Sequence, residues 1–444
     1  MSKLVKRIVI YVETQLHSPL SVSSGEDEWT DSDVLKDADG VPFVSGASLA
    51  GAMWAYLEYQ KNESCLMGYA GRSGTDDTGR MSSLFISDMT FDEPTVSSVR
   101  DGVRLDANKT AVDGSKYDME ILEAGSRAHF YMELAIRSGD DEAGMKAEIS
   151  KVFHGIRAGE IRLGKKKTRG FGELALLSVR SRTYNGDNLL EYAKAYQQSS
   201  WEKAADRLTE WLSYAAEETK LLHIEVPLKL QGGISIRQYA AKKGEPDFRH
   251  ICDHGVPVIP GSSLAGAVRH RMDDILRDLY GSVEAPAESG KKPSSLMKYS
   301  KADVMHRAFG CVEKTEAKAS DIIFSEAEIQ NARELTMVRT GVSRFESAVK
   351  KGALYKEKTY VGGEAVLHIA VRKRKDSASD QWITGLLLLA LKDLQNGFLA
   401  VGGQTAIGRG IFAANGPIRI DGAEGMEDAC ISEAWERMNR EGAC

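Results

Sequence analysis

The 444-residue sequence has few cysteines and no strong excess of charge of either sign. No two of its cysteines form a C-x-x-C pair; the five are Cys65, Cys252, Cys311, Cys430 and Cys444. This odd, scattered set argues against a disulfide framework and is typical of reduced thiols in a cytoplasmic protein. The net charge of −6 at pH 7 indicates no particular class of partner.

Long apolar runs are also missing. The longest, GLLLLAL at 385–391, is far shorter than the roughly 20 residues that span a bilayer. The first residues, MSKLVKRIVIYVE, run into a strand-like pattern without the apolar segment of a secretion signal. We therefore expect no membrane partner. Apolar residues make up 42% and charged residues 27% of the chain, as in ordinary globular proteins, and the length predicts two or three domains.

One pattern occurs twice in the chain. DSDVLKDADGVPFVSGASLAGAM at 31–53 matches DFRHICDHGVPVIPGSSLAGAVR at 247–269, and each copy opens with an aspartate. Three further blocks match in the same order: VRDGV at 99–103 with VRTGV at 338–342, a strand after Gly125 with a strand after Gly363, and AGEIRLGKKKTRGFG at 158–172 with NGFLAVGGQTAIGRG at 396–410. Such ordered self-similarity predicts a tandem duplication.

The duplication predicts four parts of the chain. Apolar residues recur at helical spacing in the polar stretch between the two copies, which favours a helical connector packed on the first domain. The predicted parts are a first domain at 1–183, the connector at 184–220, a second domain at 221–420 and an acidic tail at 421–444.

Each half has the pattern of a mixed α and β domain. We predict, in the two halves, strands at 6–16 and 220–230, Ser-capped helices at 47–59 and 262–276, strands at 83–91 and 321–329, strands at 127–137 and 364–375, helices at 142–157 and 382–395, and a closing strand that enters a glycine-rich turn. This order is the ferredoxin-like arrangement of RRM modules. No RNP-type aromatic signature is present, so an ordinary RRM is not expected.

Several motifs together resemble one known family. They are, in order, a Gly-Ser-Ser-Leu-x-Gly helix start, a middle strand ending in Asp, an Arg-x-Gly-Val insertion and a terminal glycine-rich loop. In these the chain resembles the RAMP superfamily, and specifically the backbone subunits of type III CRISPR effector complexes. Two such domains on one polypeptide are similar to the fused double subunits of type III-D systems.

The resemblance implies a fold and partners. The fold class is α+β, with two tandem ferredoxin-like (RRM-like) RAMP palm domains, each with a β-hairpin thumb insertion. The thumbs correspond to the Gly-rich and charged stretches 100–118 and 339–358. The implied partners are a CRISPR guide RNA, complementary target RNA, other RAMP backbone subunits and the large subunit of the complex.

The resemblance also implies a cutting site. Single-domain members of the family cleave target RNA with an aspartate in the loop before the first helix, in the motif Asp-x-x-Val-Ile-x-Asp. Asp31 matches the first aspartate of that motif. Asp247 takes the same place in the second half, where His250 stands instead of the family's valine.

A carboxylate beside a phosphodiester has a chemical use. It can hold a divalent cation, Mg²⁺ or Mn²⁺, or help to move the proton off the attacking 2′-hydroxyl. Asp31 and Asp247 are thus the predicted catalytic and metal-binding residues of a metal-dependent endoribonuclease. Loop aspartates commonly cap turns instead, as we expect for Asp37 and Asp253. The alternative is therefore a non-catalytic, structural RNA-binding backbone subunit. A guide-processing nuclease would need His, Tyr or Lys sets, and no such set occurs in both halves.

Basic and helix-start residues form the predicted RNA contacts. Glycine lets the backbone approach a phosphate, flanking cations add charge, and helix N-termini offer free N–H groups. The predicted contacts are Lys165, Lys166, Lys167, Arg169 and Arg409 in the glycine-rich loops, Ser48, Ser262, Ser263 and Arg269 in the helix starts, and Arg100, Arg104, Arg339 and Arg344 in the thumbs. The family's lysine in the helix start is replaced by Ala50 and Ala265.

The sequence HICDH offers one more possible metal site. His250, Cys252 and His254 occupy alternate positions, so an extended chain would place them on one face. No fourth ligand is evident, so zinc is not expected. His250 could instead assist proton transfer beside Asp247.

Overall fold

The computed structural model divides into two compact units. Unit 1 comprises Met1–Gly102, Tyr117–Lys167 and Phe171–Thr219, and unit 2 comprises Val103–Lys116, Thr168–Gly170 and Lys220–Cys444. The structure describes residues 3–23, 30–58, 66–69, 79–92, 94–106, 110–239, 245–280, 301–312, 317–373 and 377–442.

Unit 1 contains eight described strands and four described α-helices. In chain order they are β1 (Leu4–Leu16), β2 (Phe43–Val44), α1 (Gly46–Leu57), β3 (Leu84–Ile86), β4 (Met89–Phe91), β5 (Ser97–Gly102), β6 (Tyr117–Leu122), β7 (Arg127–Arg137), α2 (Glu142–Arg157), β8 (Leu174–Tyr184), α3 (Leu189–Tyr192) and α4 (Leu208–Leu212).

An antiparallel sheet forms the centre of unit 1. Its strand order is β2-β4-β7-β1-β8, and β3 also pairs with β7. Helices α1 and α2 cover one face, where Met53 and Phe153 share a core with Ile10 and Val12. Burying each such side chain stabilises the fold by roughly 1.5–3 kcal/mol.

The connector covers the other face of this sheet. Trp201, which is fully buried, stacks on Tyr11 of β1 with ring centroids 5.8 Å apart and planes 14° apart. Tyr131 of β7 lies in the same cluster. Strand β1 is therefore buried on both faces, which explains its unbroken apolar run IVIYV. The connector itself holds only short helical pieces, α3, α4 and a 3-10 turn at Gln198–Ser200.

Unit 2 repeats this plan with additional short strands. Its elements are β9 (Leu221–Gln231), β10 (Gly233–Ile234), β11 (Arg237–Tyr239), β12 (Phe248–His250), β13 (Cys252–Asp253), β14 (Val256–Ile259), α5 (Gly261–Tyr280), α6 (Lys301–Phe309), β15 (Cys311–Val312), β16 (Ala317–Lys318), β17 (Ile322–Phe324), β18 (Ala327–Glu328), β19 (Arg333–Val342), β20 (Val349–Val361), β21 (Glu364–Arg372), α7 (Ser377–Gln395), β22 (Ile411–Ala414), β23 (Arg419–Ile420), β24 (Ala423–Glu424) and α8 (Glu427–Gly442).

The central sheet of unit 2 has the order β17-β21-β9-β23-β24, and β22 also pairs with β9. Helices α5 and α7 pack on it through Leu264, Leu387 and other buried side chains. The segment after 421, set apart above as an acidic tail, contains α8. There Ala434 is fully buried, and a Cβ on Gly385 of α7 would lie 2.1 Å from its side chain.

The α+β class is confirmed, and two predicted strands differ from the structure. The middle segments 83–91 and 321–329 each split into two short strands instead of one. The split falls where the start of the preceding helix comes close, since a Cβ on Gly46 would lie 2.4 Å from the carbonyl oxygen of Ile86. A Cβ on Gly261 would lie 2.2 Å from that of Phe324.

The predicted closing strand before the glycine-rich loop was wrong. In unit 1 only an isolated bridge between Arg162 and Glu173 forms at that place, and the long strand β8 follows the loop. The loop closes on itself through the Leu163 N–H and the Gly172 carbonyl, 2.8 Å apart. The chain can therefore extend along β1 only after the loop ends.

Both predicted insertions form antiparallel hairpins, β5–β6 and β19–β20. Among the described residues, no helix is both long and apolar enough to cross a membrane.

Candidate RNA-contacting site

Asp31 lies against the second strand of the β5–β6 hairpin. Its Oδ2 accepts a hydrogen bond of 3.0 Å from the backbone N–H of Asp118, and Asp118 Oδ1 accepts one of 3.1 Å from the backbone N–H of Asp31. Asp31 is exposed, and one oxygen of each carboxylate takes no part in this reciprocal pair. The contact fixes the loop to β6 and keeps two carboxylates adjacent.

The residues after Asp31 also form hydrogen bonds with β6. The Glu120 carboxylate accepts hydrogen bonds from the Val34 N–H, at 3.0 Å, and from Lys36 Nζ, at 2.9 Å. The Glu120 N–H donates to the Ser32 carbonyl at 3.0 Å. The hairpin stem therefore sets the position of the whole Asp31 loop.

The three lysines of the first glycine-rich loop point in three directions. Lys165 Nζ donates to Ser32 Oγ at 2.9 Å, next to Asp31. The Lys166 ammonium lies 3.8 Å from the centroid of the Tyr117 ring and also donates to its hydroxyl. Lys167 is exposed and has no hydrogen bond or ion pair with another described residue. Only Lys167 thus presents its ammonium without a partner.

Asp247 repeats the backbone contact of Asp31. It is exposed, and its Oδ2 accepts a hydrogen bond of 2.7 Å from the Lys356 N–H in β20. Strand β12, which starts directly after Asp247, pairs in parallel with β20. Each loop aspartate therefore bonds to the second strand of its hairpin. The partner residue differs, since Lys356 stands where Asp118 stands in unit 1.

The two glycine-rich loops have the same closure. The Val401 N–H donates to the Gly410 carbonyl at 2.9 Å, as Leu163 does to Gly172. A Cβ on Gly172 or on Gly410 would lie 1.9 Å from the carbonyl oxygen of Leu163 or Val401, respectively. Because no other residue fits there, these glycines are needed for the shape of the loop.

The second loop differs in charge. By the shared closure, Gly403, Gln404 and Thr405 stand where the three lysines stand in the first loop. Gln404 repeats the left-handed backbone of Lys166, with φ of 61° against 54°. The second loop therefore keeps the backbone shape without the basic side chains.

Arg409 is placed inside unit 2, and this corrects the expected surface contact. Only 8% of its side chain is exposed, and Nη2 lies 3.9 Å from Oε2 of the fully buried Glu357. Glu357 also accepts hydrogen bonds from Ser235 Oγ, at 2.8 Å, and Gln404 Nε2, at 3.1 Å. Burial lowers the pKa of Arg409. The Arg409 guanidinium therefore lies in the interior, where its charge balances the buried carboxylate of Glu357.

Arg100 is also placed inside, against our expectation. It is 5% exposed, and its guanidinium carbon lies 5.9 Å from the centroid of the Phe171 ring. Arg104 and Arg344 are exposed, whereas Arg339 is half-buried. Arg104 and Arg344 therefore remain accessible for the predicted contacts with RNA.

Strand register corrects the match between the two Arg-x-Gly-Val blocks. Gly102 pairs with Tyr117, and Arg339 pairs with Tyr355. Tyr117 and Tyr355 are equivalent, because each precedes the residue whose N–H binds the loop aspartate. Arg339 therefore takes the place of Gly102, two residues beyond Arg100.

The start of α1 already holds a carboxylate. Asp88 Oδ1 accepts a hydrogen bond of 2.7 Å from the Gly46 N–H, and Ser45 is the N-cap residue. Ser48 is exposed, with its hydroxyl 2.9 Å from that of Ser45. A phosphate at Ser48 would lie beside Asp88, so this helix start is less suited to an anion than the sequence predicts.

The residues predicted to contact RNA at and near α5 include two arginines that lie against one aromatic ring. Ser262 is exposed and Ser263 is half-buried. Arg269 and Arg169 each place the guanidinium carbon 5.9 Å from the centroid of the Phe309 ring. Two guanidinium groups thus share one aromatic ring near this helix.

His250 has no free ring nitrogen. Its Nδ1 accepts a hydrogen bond from the Ile236 N–H and its Nε2 donates to the Val258 carbonyl, both at 3.0 Å. Burial lowers the pKa of His250 to about 4. In this arrangement His250 can neither bind zinc nor take part in proton transfer beside Asp247. Asp37 caps a turn as expected, accepting hydrogen bonds from the N–H groups of Asp39 and Val41.

Sequence reasoning missed the hairpin residues that contact the loop aspartates. Tyr117 with Asp118 and Tyr355 with Lys356 precede Gly172 and Gly410 at the same distance along the chain. Extending the gap-free match backward from the glycine-rich loops would have found these pairs.

A comparison with models of protein families finds a match in both halves of the chain. A family model described as the RAMP superfamily matches residues 14–175 and again residues 252–413. The two stretches are equal in length, and together they cover more than half of the chain. The first contains Asp31, and the second begins shortly after Asp247. No curated protein matches the chain.

Proposed function

Because the chain belongs to the RAMP superfamily, we propose that it is a guide-RNA-binding backbone subunit of a type III CRISPR effector complex. Superfamily membership indicates a CRISPR-associated, RNA-binding protein, and the repeated match indicates two RAMP domains. The type III assignment and the fused double form, similar to type III-D subunits, are part of the proposal. Its partners would be guide RNA, target RNA, other RAMP backbone subunits and the large subunit.

The sheet order supports a ferredoxin-like palm in each half. In unit 1, β8-β1-β7 with β3 and β4 beside β7, and with α1 and α2 on one face, corresponds to that arrangement. In the chain, the hairpin stands between β4 and β7 in unit 1 and between β18 and β21 in unit 2. It would serve as the thumb.

The accessible cations would hold the guide through its phosphates. In unit 1 the glycine-rich loop presents Lys167, and in unit 2 Arg269 is exposed on α5. Arg104 and Arg344 extend from the hairpins. Binding of this kind follows the backbone and weakens with salt, because each phosphate contact releases counterions.

Cleavage of target RNA is the catalytic part of the proposal. One observation supports it most: in each unit an exposed loop aspartate bonds to the backbone of the thumb's second strand. A thumb that distorts the RNA would thereby bring the bond to be cut beside Asp31 or Asp247. The RNA's 2′-hydroxyl would attack in line, and the carboxylate would help to remove its proton.

A divalent cation fits the first site better than the second. Asp31 and Asp118 each keep an oxygen outside their reciprocal pair, and carboxylate oxygens are what Mg²⁺ and Mn²⁺ prefer. Those two residues would hold the cation, which would stabilise negative charge on the phosphate. The contact of Asp247 with the backbone N–H of Lys356 brings no second carboxylate, so our proposal places the cation at the first site. The metal site expected at Asp247 stays a prediction and is not part of this proposal.

The test is target cleavage by the assembled complex. Asp31→Asn and Asp247→Asn should each remove one product while target binding is retained, because asparagine keeps the shape and loses the charge. Asp37→Asn is the matched control, since that aspartate only caps a turn. Products should carry a 5′-hydroxyl and a cyclic or 3′-phosphate. If both single variants leave every product intact, cleavage by these aspartates is excluded.

A purely structural RNA-binding subunit is the second candidate. It is favoured by the backbone hydrogen bonds of Asp31 and Asp247, which would serve a scaffold equally well. This candidate predicts that both asparagine variants bind guide and target as the wild type does, and that the wild-type chain produces no cut of its own.

A further inference from the structure

Lys165 connects two segments that the proposed function uses separately. Its backbone N–H donates to the Ser21 carbonyl at 2.9 Å, which anchors the glycine-rich loop. Its Nζ reaches Ser32 Oγ, also at 2.9 Å. Ser32 is 6% exposed and directly follows Asp31. One residue therefore spans from the glycine-rich loop to the loop of the candidate catalytic carboxylate.

Ser32 is held from two sides. Its carbonyl accepts the Glu120 N–H from β6, and its hydroxyl accepts the Lys165 ammonium. Asp31 itself is bonded to Asp118 on the same strand. The Asp31 loop is thus fixed by the thumb on one side and by the glycine-rich loop on the other. A strand of RNA held at Lys167 would contact the loop that also places Asp31.

Unit 2 cannot make the same connection. Gly403, which has no side chain, stands at the place of Lys165, although its N–H still donates to the Ser235 carbonyl at 2.7 Å. Phe248, which has no hydroxyl, stands at the place of Ser32. The backbone anchor is repeated and the side-chain bridge is not.

We propose that Lys165 is a positioning residue for the cut assigned to Asp31, and that Asp247 is positioned without such a bridge. The inference rests on the proposed function. In this role Lys165 acts through Ser32, separately from the guide contact proposed for Lys167.

The experiment measures single-turnover cleavage by the assembled complex at saturating target. Lys165→Met should slow the Asp31-dependent cut by roughly 10-fold or more, because small misplacements of a reacting group are costly. The Asp247-dependent cut on the same chain is the internal control and should keep its rate. Lys167→Met should instead weaken RNA binding and lower the salt slope by about 1. Lys151→Met, at an exposed position on α2, should change neither quantity.

A double-mutant cycle shows whether Ser32 carries the effect. In a Ser32→Ala background, Lys165→Met should add no further slowing. The proposal is overturned if Lys165→Met weakens binding and leaves the saturated rate unchanged. It is also overturned if both cuts slow equally, since that would indicate a general structural defect.

Hydrogen exchange separates this proposal from the proposed function. If the wild-type complex makes no cut, the proposed cleavage fails, and the bridge is still tested by amide exchange of residues 32–36. Lys165→Met should raise exchange there, and Lys151→Met should not. If amide exchange is unchanged in the Lys165 variant, Lys165 does not position the Asp31 loop, whatever the cleavage result.

Discussion

At the scale of single residues, the two loop aspartates share a backbone contact and differ in charge environment. Asp31 lies beside the carboxylate of Asp118, whereas Asp247 bonds to the backbone of Lys356. Two adjacent carboxylates favour a divalent cation, whereas the backbone contact of Asp247 brings no second carboxylate with it. Chelation with EDTA should therefore abolish the Asp31-dependent cut and leave most of the Asp247-dependent cut. Product mapping with and without added Mg²⁺ measures this, and equal loss of both cuts would contradict the difference.

His250 gives a pH-dependent contribution to stability. Its pKa, about 4 in the folded protein, lies below the ordinary value of about 6.5. As pH falls below 6.5, His250 therefore binds a proton in the unfolded chain but stays neutral in the folded protein. The contribution of His250 to the free energy of unfolding is complete above pH 6.5 and is lost as pH falls toward 4.

The corresponding measurement is denaturant unfolding at pH 7 and pH 5. The wild type should lose about 2 kcal/mol more between these values than His250→Gln, because pH 5 lies about 1.5 units below the unfolded pKa and each unit corresponds to about 1.4 kcal/mol. An identical pH dependence in the two proteins would show that His250 titrates normally in the folded state.

The sequence predicted which residues repeat, and it could not predict which of them face solvent. Asp31 and Asp247 follow from the repeat and from the family motif alone. Arg100 and Arg409 have the residue type of phosphate ligands, but they are buried against Phe171 and Glu357, respectively. Partners of this kind are distant in the chain, so composition and spacing carry no signal for them.

At the scale of elements, the pair of side chains that joins the thumb strand to the end of the glycine-rich loop is apolar in unit 1 and charged in unit 2. In unit 1, Met119 and Phe171 pack together in an apolar cluster. At the equivalent positions of unit 2, Glu357 and Arg409 form a buried ion pair. Each pair links the thumb strand to the end of the loop.

This exchange predicts a non-additive pair of substitutions. Arg409→Phe alone should destabilise unit 2 by about 3–5 kcal/mol, because it leaves the Glu357 charge buried and uncompensated. Adding Glu357→Met should restore most of that loss, since it recreates the apolar pair of unit 1. Denaturant unfolding of both variants and of Glu357→Met measures the coupling. Additive losses would show that the two pairs are not interchangeable.

Most elements were predictable from hydrophobic pattern, and the exceptions have a tertiary cause. Helix α2 and strand β7 have the predicted bounds. The strand predicted at 83–91 is interrupted because Asp88 turns to bind the start of α1. That interruption depends on a helix about forty residues earlier in the chain, which no local pattern contains.

At the scale of the whole molecule, duplication has produced two similar units with different surfaces. The outer sheet face of unit 1 is covered by the connector, whose Trp201 stacks on Tyr11 as a base would on an RRM sheet. We therefore propose that unit 1 contacts RNA through its loops and its thumb rather than through this face. The helical periodicity of the connector indicated a helix and gave no information about this face.

The central claim is that the chain is a guide-RNA-binding subunit whose two halves contact the same guide strand, unit 1 through Lys167 and unit 2 through Arg269. The most direct measurement replaces Lys167 and, separately, Arg269 with a photo-reactive amino acid in the assembled complex. We expect each variant to cross-link to the guide RNA, and the two cross-links to map to different nucleotides. Lys151, an exposed position on α2, is the control site and should give no cross-link. If either position fails to cross-link while the complex assembles normally, the two halves do not hold one guide strand in this way and the claim is wrong.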